Sequence, residues 1–347
     1  MVTMRDIAER ANVSVATVSY VLNESGNISG DTKRKVLEVV KELNYRPNQI
    51  AKSLKMKRTN TIGVIVEDMT VFNAPPIIDG INEGADMLGF SILLTNMRLK
   101  QWISSKSEHL DERNIITKKI IDELVSKKVD GIIYIGFHPR DVTDCIPTVD
   151  VPILFTYCYT TNPHQRSINY DDEKAAYDAT NFFVSQGHQK IALISGHIDS
   201  MSAHSRYSGY YNAIKEHNLI FKPGYIKTGD WQYDSGYSLT KELLDTRDLP
   251  TAILAMNDQM AIGAIRACKD LGYKVPKDIS IIGFDNREFS AYYSPKLTTM
   301  SLPLREMGLL AIDKLNNHIS GPNINVENNK IILQCTLIER DSVCPAN

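Results

Sequence analysis

Residues 3–23, TMRDIAERANVSVATVSYVLN, read as two short helices joined by a tight turn. Thr3 and Asp6 fit a capping pattern in which a hydroxyl meets a free first-turn amide and a carboxylate sits at the positive helix end. Ile7, Ala8 and Ala11 form an inner stripe. Asn12 falls where the turn wants a left-handed residue, a conformation that Asn tolerates better than any residue except Gly. Ser14 can cap the second helix, whose Val18, Val21 and Leu22 recur at helical spacing and face inward. Ala16, Ser19, Tyr20 and Asn23 fall on the opposite face. That face is small and polar with one aromatic, and a DNA major groove about 12 Å wide admits such a helix. Taken alone, the stretch would more often be an ordinary helical hairpin; the rest of the chain decides.

A length of 347 residues allows two or three domains, each with its own core. No apolar run of about 18 residues occurs, so no membrane span is expected. The charged first dozen residues do not read as a signal peptide, which places the protein in the cytoplasm. Five scattered cysteines without a C-x-x-C pair read as reduced and structural. The net charge of −2 hides an asymmetry: residues 1–60 hold eleven Lys/Arg against six Asp/Glu, net +5, leaving 28 against 35, net −7, in the remainder. A basic head on an acidic body suggests that the head meets a polyanion, although a solvated surface would look the same from charge alone.

Ser29 to Thr32 start a third helix with Val36, Leu37, Val40 and Leu43 at helical spacing, and Pro47 is expected to stop it. Asn48 to Lys55 then form a capped segment of roughly two turns, too short to be stable alone in water. Beyond it, apolar strand candidates at 62–66, 90–95, 131–135, 152–156, 190–195, 224–228, 252–256 and 279–284 alternate with helical stretches at 75–88, 111–127, 172–186, 204–217, 235–245 and 258–271. This is the pattern of open, mostly parallel, doubly wound sheets. The series reads as two successive half-domains with a break near Thr161 to Arg166, the tail after Leu297 returning to complete the first. A cleft at the carboxyl ends of the strands is where such folds take ligands. Residues 97–114, MRLKQWISSKSEHLDERN, are a polar insertion carrying Trp102, read as a loop or an extra helix.

These residues together resemble the LacI/GalR family of bacterial transcription regulators. The resemblance is carried by D-I-A-x-x-A-N-V-S-x-A-T-V-S-Y-V-L-N at 6–23, L-N-Y-R-P-N at 43–48, A-K-S-L-K at 51–55 and T-I-G-V-I-V at 61–66. It continues through V-D-G-I-I at 129–133, G-H-Q-K-I-A-L-I at 187–194, R-Y-S-G-Y at 206–210, N-D-Q-M-A-I-G at 257–263 and G-F-D-N at 283–286. It implies a helix-turn-helix headpiece over 1–47, a hinge helix and linker over 48–60, and a two-lobed, periplasmic-binding-protein-like effector and dimerisation domain over 61–347. In that division the N-lobe takes about 61–161 and 297–320, and the C-lobe about 162–292 with the 325–340 tail.

The resemblance further implies a homodimeric repressor, less often an activator, on a palindromic double-stranded operator, with pairing into tetramers left open. Val15, Ala16 and Tyr20 match base-reading positions, and Ser14, Thr17 and Asn23 match backbone contacts. Ala51, Leu54 and Lys55 lie in the segment that the family folds on DNA, where Leu54 matches a leucine wedged into the minor groove. The effector is expected to be a sugar or related metabolite. Arg206, Asn257 and Asp285 match polar ligand positions, Trp231 a ring-stacking aromatic, and Tyr157 a ligand-facing strand end. A guanidinium fork opposite a carboxylate suits vicinal hydroxyls, while the local alternatives are a helix cap for Asp285 and core packing for Trp231. The family often has two adjacent aromatics before the first body helix; here Phe72 is followed by Asn73-Ala74-Pro75-Pro76, and the resemblance implies Phe72 and Asn73 as effector contacts at this place. The 97–114 insertion is about a dozen residues longer than usual, and Asn12 replaces a customary glycine.

Two other classes compete. A two-lobed sugar-binding protein without DNA would share the body but not the head. An enzyme is disfavoured because no G-x-G-x-x-G follows the first strand, no P-loop or G-x-S-x-G occurs, and the eight histidines show no H-x-x-x-H metal spacing. His138, His188, His197 and His204 read as surface or cleft hydrogen-bonders. No cofactor or metal is expected.

Overall fold

The computed structural model describes residues 2–23, 25–45, 58–99, 110–321 and 329–346, with only the backbone of 110 and 111. Ala51, Leu54, Lys55, Pro47 and Trp102 lie outside the described residues. The chain divides into two compact units, Met1–Asn60 and Thr61–Asn347.

In the first unit, α1 (Met4–Ala11), α2 (Val15–Leu22) and α3 (Gly30–Glu42) close over Ile7, Ala11, Val18, Val21 and Val36. Thr3 and Asp6 form a reciprocal capping box on α1, and Asn12 ends it in the left-handed region at φ 53°. Ser14 and Ser29 each cap the helix that follows by accepting an amide hydrogen bond. The third helix stops at Glu42, with Leu43 as its C-cap and Asn44 left-handed at φ 46°, several residues before Pro47. A left-handed residue ends a helix without proline because it turns the chain off the helical path.

The second unit contains two six-stranded sheets. The first has the order β11-β5-β4-β3-β1-β2 and is parallel throughout, from β1 (Thr61–Val66), β2 (Ser91–Asn96), β3 (Gly131–Ile135), β4 (Ile153–Thr156), β5 (Arg166–Tyr170) and β11 (Lys330–Leu333). The second has the order β12-β10-β9-β8-β6-β7, from β6 (Ile191–Ser195), β7 (Ile226–Thr228), β8 (Ala252–Ala255), β9 (Ser280–Asp285), β10 (Thr298–Ser301) and β12 (Thr336–Ile338). Only β12 runs antiparallel, against β10. The inner strands β1, β3, β4 and β8 are apolar runs buried along their length, as parallel strands covered on both faces must be.

The helices are α4 (Ala74–Leu88), α5 (Leu110–Ser126), α6 (Asp172–Ser185), α7 (Met201–Glu216), α8 (Tyr233–Leu244), α9 (Asp258–Asp270) and α10 (Leu304–Ser320). Residues 110–114 of the polar insertion thus form the first turns of α5, and Met97 and Leu99 at its other end are buried. The return of the tail is made by α10, which packs on α4 so closely that a Cβ on Gly80 would lie 2.1 Å from Arg305 O, and one on Gly308 2.1 Å from Ile77 O.

The division into half-domains needs three corrections. Arg166–Tyr170, expected in the second half, hydrogen-bonds beside β4 in the first sheet. Thr298–Ser301, expected in the first, pairs with β9 in the second. The 325–340 tail, expected whole in the second, supplies one strand to each sheet. The chain therefore crosses between sheets after Tyr170, after Ser301 and after Leu333, each time on a strand of three to five residues whose fragmentary apolar pattern carries no sheet address.

Candidate DNA-reading edge and ligand cleft

On α2 the inward face is closed by Val18 and Val21, leaving Ser14, Val15, Ala16, Tyr20 and Asn23 exposed and Thr17 half-buried. Val15 is 44% and Tyr20 49% exposed. Ser14 Oγ accepts the Thr17 amide at 3.0 Å, and Asn23 Nδ2 donates to Ser19 O at 2.8 Å, so both stabilise the helix ends they flank. Tyr20 lies over Gly26, whose φ of +79° and missing side chain make room for the ring; an added Cβ would stand 3.3 Å from Tyr20 Cγ.

In the second unit a cavity of about 470 Å3 opens at the carboxyl ends of strands from both sheets. Phe72 and Asn73 follow β1, Tyr157 follows β4, Trp231 follows β7, Asn257 follows β8, and Asp285 ends β9. Arg206 reaches the cavity from α7. All seven residues named from the sequence line this one space, together with Phe137, His138, His197 and Arg287. Of the four histidines singled out in the sequence, the remaining two lie elsewhere: His188 is buried between Thr251 Oγ1 and Cys344 O, and His204 faces Ile198 O.

Arg206 is 3% exposed. Its Nε donates to Asp172 Oδ1 at 2.5 Å, one NH2 group to Met256 O, and the other to Tyr170 Oη at 3.3 Å. The guanidinium also stacks 3.7 Å from the Phe284 ring centroid. Burial works against this charge, and Asp172 overrides it, holding Arg206 above the ordinary arginine range. Burial pushes the Asp172 carboxyl up, with Arg206 restraining the rise.

Asp285 is half-buried at φ 106°, a backbone region that disfavours a side chain, and burial pushes its carboxyl well above the usual range. No described residue hydrogen-bonds that carboxylate, so the helix-cap alternative does not hold. Asn257 is the opposite case. Its Oδ1 accepts the Met260 amide at 2.8 Å as the cap of α9, and its Nδ2 donates to Trp231 O at 2.8 Å. It therefore positions Trp231, itself left-handed at φ 71°. The indole packs flat over Gly196, where an added Cβ would approach Cζ2 to 1.9 Å. Tyr157, at φ 60°, is buried against Tyr170 with oxygens 3.4 Å apart, and burial pushes its phenol up. Asn73 is buried and donates to Gly136 O at 3.2 Å.

Residues 3–48 match the bacterial regulatory proteins of the lacI family, and residues 180–343 match the periplasmic binding protein-like domain. The chain is 34% identical to catabolite control protein A of Priestia megaterium over 326 residues, 93% of this chain and 94% of that protein. It belongs to the LacI family. Within this family it is also 34% identical over 322 residues to the HTH-type transcriptional repressor PurR of Histophilus somni, covering 92% of this chain and 93% of that one. A solved Lac repressor dimer bound to operator and the anti-inducer ONPF superposes with a TM-score of 0.78 at 31% identity, covering 99% of each chain.

Sequence reading missed Arg287 in the cleft lining, and Asp172, Tyr170 and Gly196 as the residues that Arg206 and Trp231 rest against. Asp172 and Gly196 had no signal of their own. Arg287 follows Asp285 and Asn286, whose φ angles are 106° and 53°, so no strand alternation continued from β9 to point to it. Among the described residues no group of three or more His, Cys, Asp or Glu is placed to hold a metal, and no helix is long and apolar enough to cross a membrane.

Proposed function

We propose that this chain is a transcription repressor that binds a palindromic operator as a dimer and is switched by a small effector in the cleft. The observation that carries the reading is the exposed α2 edge of Ser14, Val15, Ala16 and Tyr20, combined in one chain with a cavity into which seven side chains converge. Val15 and Ala16 offer apolar contact, such as to a thymine methyl, and Tyr20 supplies the polar discrimination. Ser14, Thr17 and Asn23 meet the phosphates. Ala51, Leu54 and Lys55 belong to the same proposal as the minor-groove element of the 48–60 hinge.

In the cleft, Asp285 accepts hydroxyl hydrogens, Trp231 covers the apolar face of a carbohydrate ring, and Asn257 holds Trp231 in place. The pair Arg206–Asp172 supplies a fixed donor. The role proposed is binding without turnover, exercised in the bacterial cytoplasm at the nucleoid. Selection from a random pool of duplexes tests the reading. The full chain is expected to enrich a palindrome, with log affinity falling steeply with log salt; enrichment of no sequence would contradict it.

A further inference from the structure

The cleft contains two guanidinium groups in opposite states. Arg206 has three of its five N–H donors engaged, by Asp172, Met256 O and Tyr170. Arg287 is held by its backbone, the amide donating to Asp258 Oδ2 at 2.7 Å, while its side chain lies 4.7 Å over the Phe72 ring centroid and 5.5 Å from that of Phe289. Stacking on rings uses the faces of a guanidinium and leaves the in-plane N–H donors available. No described residue accepts a side-chain hydrogen bond from Arg287 or forms an ion pair with it. Phe72 follows β1 of the first sheet and Arg287 follows β9 of the second, so the stack spans the cleft. The two carboxylates lining the cavity are Asp285 and Asp199, the latter 86% exposed with His197 3.5 Å away.

We propose that Arg287 selects an effector bearing an anionic group, a phosphate monoester or a carboxylate, alongside the hydroxyls that meet Asp285. The in-plane fork of Arg287 matches either oxyanion bidentately. This inference rests on the cleft being the effector site.

The test is a thermal-shift titration of the full chain at constant ionic strength with matched neutral and anionic sugars: glucose, glucose 6-phosphate and glucuronate, and ribose, ribose 5-phosphate and ribonate. At least one anion is expected to raise the melting point more than its neutral parent, and the phosphate and carboxylate arms separate the two sources. Arg287→Gln is expected to weaken that anion about 10- to 100-fold, and Arg287→Lys by an intermediate factor, because it keeps the charge but loses the fork. Neutral sugars binding at least as well as every anion would overturn the proposal and leave the cleft reading standing, as would an anion response unchanged in Arg287→Gln. No stabilisation by either class would overturn both.

Discussion

Arg206 donates from Nε to Asp172 Oδ1 at 2.5 Å with both side chains under 10% exposed, joining α7 to the first turn of α6 at the cleft wall. The ligand therefore meets a cation whose position is fixed before it arrives. Removing Asp172 strands that charge in the interior, which typically costs about 3–5 kcal/mol, whereas replacing both partners by apolar groups often costs little. Asp172→Asn should lower the urea midpoint sharply at unchanged m-value. A double variant, Asp172→Leu with Arg206→Met, should recover much of that stability without recovering effector binding. Equal destabilisation by the single and double variants would argue that packing, and not the charge, dominates here.

Stability should respond to pH through Asp258. Its carboxyl accepts from Thr299 Oγ1 at 2.6 Å and from the Arg287 amide, and burial pushes its pKa up to about 7 from the ordinary 3.8. A folded state with the higher pKa binds more protons than the unfolded chain between these values. This group's contribution is therefore greatest at low pH and declines as pH rises toward 7, by at most about 1.4 kcal/mol per pH unit. Urea melts across that window should show the slope, and Asp258→Asn should reduce it. Some slope remains from Asp285, which burial also pushes up. A variant with the wild-type slope would exclude Asp258 as the source.

The Tyr20–Gly26 contact predicts how base reading can be lost without losing phosphate contacts. Gly26→Ala places a Cβ against the Tyr20 ring and strains a left-handed backbone, at a cost of roughly 1–2 kcal/mol. Discrimination between cognate and random duplex should fall in Gly26→Ala and in Tyr20→Phe, while the salt dependence stays as it was. A proportional loss on both duplexes would place Tyr20 among the backbone contacts.

Trp231 should report on the cleft directly. In a Trp102→Phe background its fluorescence is the only indole signal, because the chain has two tryptophans. Gly196→Ala forces the ring off its bed, so the emission should shift and effector affinity should drop about tenfold or more, as expected when a stacking partner worth roughly 1–2 kcal/mol is displaced. An unaltered spectrum and unaltered affinity would mean that Trp231 packs elsewhere when ligand is bound.

Much of this architecture was legible because its signals are local. Capping residues and an inward stripe mark α1 and α2, and runs such as Thr61–Val66 and Gly131–Ile135 are apolar without interruption. The crossings between sheets were not legible. Arg166–Tyr170 reads RSINY and Thr298–Ser301 reads TTMS, short polar-leaning segments whose pairing is set by where the chain has already gone. The cleft residues were found through the family's motifs, but their division of labour was not. Asn257 and Asp285 look equally suited to bind a ligand, and only the hydrogen bonds from Met260 and to Trp231 assign the first to support. The Asp172 partner of Arg206 is 34 residues away, beyond any local pattern.

The central claim is that occupancy of the cleft changes how tightly the α2 edge holds DNA. Fluorescence anisotropy of the full chain on its enriched palindrome, with and without the ligand that most raises its melting point, measures this coupling. The predicted result is a change in operator Kd of about 5- to 150-fold, in either direction, with little change on random duplex. An operator Kd indifferent to a saturating ligand would contradict the account.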